Sequence, residues 1–152
     1  MCFEYIKEDI IKAFEGVELE DGIGLWEAQA IDDYEPKDIQ REARKKDEKI
    51  DWQNISYDDI FYCDSSLSFM DEKGLRFHIP AFIIAEIEGK TNTGPLYNLT
   101  QTVISNPELF KLFNQSQKEA VSQFLEWCAW QEEYHYEKAH ITRSLNEFWR
   151  KN

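Results

Sequence analysis

The chain's 152 residues leave room for one hydrophobic core and one domain. Apolar residues make up 42 % and aromatics 14 %, which excludes a disordered chain even with 31 % charged residues. Seventeen Lys and Arg against 30 Asp and Glu leave a net charge of −13, which argues against nucleic-acid or anionic-membrane binding, because phosphates require clustered cations. No apolar run approaches the roughly 18 residues of a membrane span. Residues 1–14 scatter Glu4, Lys7, Glu8 and Asp9 among apolar positions, unlike a signal peptide. Cys2, Cys63 and Cys128 are widely spaced, suit a reducing compartment and form no metal-binding pair. The expectation is a soluble cytoplasmic protein.

The charge is uneven. Residues 1–62 hold 18 acidic and 8 basic side chains, a net of −10, so the first two-fifths of the chain generate most of the field. Such a surplus serves solubility in many small proteins. It also suits an acidic face that meets a basic partner through steered association.

In chain order, Phe3, Ile6, Ile10, Ile11 and Phe14 recur at helical spacing, with Gly16 placed to end the helix. An acidic loop over 17–24, containing Gly22 and Gly24, precedes a short helix from Leu25 to Tyr34. Pro36 opens a charged helix to about Lys49, whose Glu42–Lys46 pair marks a solvated face. Ser56 and Asp59 resemble the start of a capping box for a helical turn over 57–62.

Leu67-Ser68-Phe69-Met70, the four residues ending in Gly74, and the alternating Leu75-Arg76-Phe77-His78-Ile79 predict an antiparallel hairpin. Pro80 would then end pairing and open a buried helix through Ile87. A polar loop follows at 90–94. Asn106-Pro107 predicts a short helix through Phe113, and Ser116 with Glu119 a capping box for a longer one.

From Ser116 onward Ala120, Val121, Phe124, Leu125 and Cys128 form one apolar stripe. Trp127, Trp130, Tyr134, Ile141, Leu145 and Phe148 form a second, with Trp149 beside it. Two readings follow for residues 135–152. The helix breaks near 135–140 and folds back, or it protrudes and offers its aromatic residues, Trp130 to Trp149, to a second copy as a homodimer interface.

Chemistry-bearing motifs are sparse. Glu132/His135 and Glu137/His140 have a di-iron-like spacing, but such a site also needs two further carboxylates from separate helices inside the core, and the two histidines point to different faces and read as exposed. His78 beside Arg76 reads as a residue of a wet strand face. Cys63 lacks the glycines of a nucleophile elbow, and Cys128 lies on an apolar face. Asp32-Asp33 and Asp58-Asp59 diverge by roughly 100° on a helix. Gly22-Ile23-Gly24 lies beside acids that would repel phosphate. No catalytic residues, metal ligands or cofactor emerge.

The helix ending in Ala13-Phe14, the segment from Leu67 to Ile79, Pro80-Ala81-Phe82, and Ser116-Gln117-Lys118-Glu119-Ala120-Val121 leading to Phe124-Leu125 together resemble an uncharacterised family of small bacterial proteins known only as a domain of unknown function. The resemblance covers about half the chain. It implies a bacterial cytoplasmic α+β protein and carries over no catalytic residue.

The sequence therefore predicts one mainly helical α+β domain over 1–152, with a small antiparallel hairpin packed by helices. The leading functional expectation is a non-enzymatic interaction module, an immunity- or antitoxin-like inhibitor of a basic protein. A ligand-binding or catalytic pocket near Tyr57, Tyr62, Arg76 and His78 is the first alternative, and the homodimer through the C-terminal helix the second.

Overall fold

A helix needs only local hydrogen bonds and one buried stripe, and this chain meets both requirements repeatedly. The structure is a computed structural model that describes residues 2–151, the side chain of Cys2 excepted. It is 69 % helical, with no strand among the described residues. The chain divides into two units, one formed by residues up to Glu15 together with those from Leu96 onward, the other by Gly16–Pro95.

In the first unit, α1 (Cys2–Ala13) buries Ile6 and Ile10 and packs on α7 (Gln115–Ala129). Asn114 caps α7. Its side chain accepts from the Gln117 amide and Gln117 Oε1 accepts from the Asn114 amide, both at 2.9 Å. The reciprocal cap thus starts two residues before the predicted Ser116, because Gln117 does what Glu119 was expected to do. Gln117 also reaches across to donate to the Ala13 carbonyl at 3.2 Å. A π turn over Asn98–Thr102 leads into the short α6 (Val103–Ser105), and a 3-10 turn follows over Pro107–Phe110.

The long C-terminal helix is interrupted. α7 ends at Ala129, a 3-10 stretch runs over Glu132–Glu137, and α8 (Lys138–Ser144) follows, ending in a π turn over Leu145–Trp149. Trp149 is buried, donates its indole N–H to the Leu99 carbonyl at 2.8 Å, and meets Phe110 and Phe113 edge-on.

The second unit contains α2 (Leu25–Asp32), α3 (Lys37–Arg44), α4 (Tyr57–Tyr62) and α5 (Glu72–Ile87). α3 packs on α2 yet buries no side chain, as its charge pattern predicts. α4 starts where Ser56 Oγ accepts from the Asp59 amide at 3.1 Å.

The predicted hairpin is absent, and the α+β class is corrected to all-α. Leu67 belongs to a 3-10 turn over Ser66–Phe69, and the whole of 72–87 is helix. The reason is Asp71. Its Oδ1 accepts from the Gly74 amide at 2.9 Å, the reach of an N-cap onto the third helical residue, so Gly74 sits inside a helix and closes no β-turn. The apparent alternation of Leu75, Phe77 and Ile79 misleads because α5 is buried on most sides, His78 included. Pro80 lies within α5 rather than at its start, leaving its turn one backbone bond short.

Asp71 Oδ1 also accepts from the Ile23 amide at 2.9 Å, tying the 17–24 loop to the helix it caps. Asp71→Ala is therefore expected to lower stability by about 2 kcal/mol, the upper end for a lost cap. Urea unfolding measures it, and a loss within about 0.5 kcal/mol would contradict the assignment.

Candidate functional site

α2 begins at Gly24, which has no side chain to cap a helix. Asp47 does so instead, from the loop after α3. Its carboxylate accepts from the Trp26 amide at 2.6 Å and the Glu27 amide at 3.3 Å, meeting two of the donors every helix start leaves open. Glu27 reaches back to the Gly24 amide at 3.2 Å. A Cβ on Gly24 would overlap the Asp47 carboxylate, so the two residues require each other. Arg44 grips the preceding loop through the Gly22 and Glu20 carbonyls.

The same Asp47 stands in the wall of a cleft of about 190 Å³. Leu25, Trp26 and Ile55 are its apolar members, while Asn54, Asp59 and His78 bring polar groups from three different segments. Lys46 and Glu48 flank Asp47 there. Lys46 holds its ammonium 4.4 Å from the centre of the Trp26 ring, a cation–π contact. Tyr62 also packs on that indole at a tilt, 5.3 Å between centroids.

His78 is fully buried, and burial pushes its pKa down to about 4, so the ring is neutral at pH 7. Nδ1 lies 2.8 Å from the Gly74 carbonyl, which can only accept, so the proton resides on Nδ1. Nε2 is then a lone-pair acceptor, and it has no partner among the described residues. Burial likewise raises Asp47 to about 6, against the opposing pull of the Trp26 and Glu27 amides. Cys63 is raised to about 12 by burial and then by Asp59 and Asp47, leaving a neutral thiol.

The pocket expected around Tyr57, Tyr62, Arg76 and His78 is distributed differently. Only His78 lines the cleft, and it does so from inside a helix instead of from the wet face of a strand. Arg76 pairs with Glu20 at 3.3 Å. Tyr57 and Tyr62 are exposed on α4, Tyr62 by 67 %. Of the expected interface, Tyr134, Ile141, Leu145 and Trp149 are buried, Trp127 and Phe148 are half-buried, and Trp130 is 78 % exposed. His135 and His140 are exposed, and among the described residues no three His, Cys, Asp or Glu side chains assemble as a metal site. Sequence reasoning missed Asp47. The available signal was Gly24 at a helix start, which leaves the first amides open to a cap from elsewhere.

An all-helical chain with a buried acid and imidazole in a small cleft is the class of protein this geometry defines. The chain belongs to a family of unknown function (DUF6714), whose model matches residues 4–152, the aromatic tail after Tyr134 included. No curated protein and no solved structure matches it. No helix among the described residues is long and apolar enough to cross a membrane.

The two buried groups act on stability with opposite signs. Folded Asp47 keeps its proton to about pH 6 while the unfolded chain releases it near 3.8, so stability falls as pH rises between those values. His78 takes its proton near 6.5 when unfolded and only near 4 when folded, so stability rises with pH across that window. The stability difference, wild type minus Asp47→Asn, should therefore fall by about 2 kcal/mol from pH 4 to 6. Urea unfolding at several pH values checks this, and a difference independent of pH would refute the burial of an ionising Asp47.

Proposed function

We propose that this chain is a non-enzymatic interaction module that binds a basic protein, in the manner of an immunity protein or antitoxin restraining a basic effector. The observation that carries the reading is α4. Tyr57, Phe61 and Tyr62 are exposed on a single helix whose first turn holds Asp58 and Asp59, and neither acid has a cation partner among the described residues. Large aromatics supply most of the binding energy in protein interfaces, and surrounding carboxylates select a basic surface and speed encounter.

The field supports the same reading. The unit formed by Gly16–Pro95 carries 19 acidic and 9 basic side chains, a net of −10. The reactive groups nearest α4 are quiet: Cys63 is a neutral thiol and His78 a neutral imidazole whose one proton is engaged.

The test is co-purification from cells that make the protein, comparing the wild type, a Phe61→Ala/Tyr62→Ala variant and Trp130→Ala. A basic protein should accompany the wild type and Trp130→Ala, and be recovered at least tenfold less with the double variant. Recovery should decline between about 50 and about 500 mM salt, as exposed charges are screened. Absence of a basic protein, or equal recovery by the double variant, overturns the proposal.

A further inference from the structure

We infer that the cleft beside α4 receives the guanidinium of an arginine side chain, an inference that rests on the basic-partner reading and names what that partner inserts. The first argument is size. At about 190 Å³ the cleft lies below the roughly 300–1,000 Å³ of cofactor and drug-sized sites, so it admits the end of a side chain.

The second argument is the direction of its hydrogen bonding. Asp47, Glu48 and Asp59 are acceptors when ionised, and His78 adds a neutral Nε2 that can only accept. That nitrogen belongs to a completely buried ring on the cleft's lining and has no partner among the described residues, an unmet acceptor that a donor would satisfy. A ligand must therefore bring several N–H donors and positive charge. Guanidinium does so in a rigid planar fork of five donors, whereas a carboxylate or phosphate would be repelled.

The third argument is Lys46. The chain already holds one cation against the Trp26 face at 4.4 Å. Its stem is exposed and can swing away, so an incoming guanidinium finds an aromatic face on which a cation has been shown to rest. The neighbouring Tyr62, packed at a tilt on the same indole, leads from it onto the exposed α4 surface.

The experiment uses the full chain labelled with 15N-histidine. N-acetyl-arginine amide is titrated at low salt, with the lysine and citrulline amides as comparisons. The arginine compound should shift the His78 Nε2 resonance saturably, at least tenfold more tightly than the neutral citrulline compound and more tightly than the lysine one. Asp59→Asn, at the rim of the cleft, should weaken it at least threefold, while Trp130→Ala should leave it unchanged. An unmoved Nε2 signal, or equal responses to the three amides, overturns the inference. The two readings fail separately: a basic partner that still needs Phe61 and Tyr62 while Nε2 ignores arginine refutes the cleft alone. Arginine binding with no basic partner refutes the module reading and leaves the cleft.

Discussion

A helix whose capping position is glycine has no side chain of its own to cap it, and in this chain the cap that Asp47 lends to α2 organises the surroundings of the candidate site. The carboxylate meets the Trp26 and Glu27 amides, and the space it needs is available only because Gly24 has no side chain. That contact brings the loop after α3 against the start of α2. With it come Lys46 over Trp26, Glu48, and the cleft that Asn54, Asp59 and His78 complete. Asp71 performs a second such bridging, capping α5 while holding the Ile23 amide, so the 17–24 loop is fixed from both sides.

Sequence periodicity made the local elements legible. The apolar spacing of α1, the charged and unburied α3, the Ser56 cap of α4 and the buried stripe of α7 are each decided by residues within one or two turns of one another. The segment from Leu67 to Ile79 was misread because a period of two in Leu75, Phe77 and Ile79 discriminates strand from helix only if the intervening residues are wet. Arg76 is half-buried and His78 wholly so, and Asp71 with Gly74 form a helix cap whose composition also suits a turn. Asp47 was illegible for another reason: its role exists only through amides 20 and 21 residues earlier in the chain. His78 was noticed as a residue, but its burial, and hence its neutral ring and orphaned nitrogen, came from packing that no local pattern encodes.

The site combines two physical elements that suit one occupant. α4 offers exposed aromatic area amid uncompensated carboxylates, a surface that attracts cations and gains from covering its rings. Beside it lies a small cleft whose groups mostly accept hydrogen bonds, furnished with an indole that already carries a cation. Surface attraction without the cleft would be unselective, and a cleft without the aromatic ridge would hold a side chain only weakly. The proposed partner, a basic protein presenting an arginine within a largely apolar rim, would satisfy both.

The most direct test of the account is a hydrogen–deuterium exchange footprint of the chain bound to the basic protein proposed as its partner. Added protection is expected over residues 45–62 and at the start of α2, with residues 96–151 exchanging as in the free chain. Protection confined to 96–151, or none at all in the bound state, would contradict it.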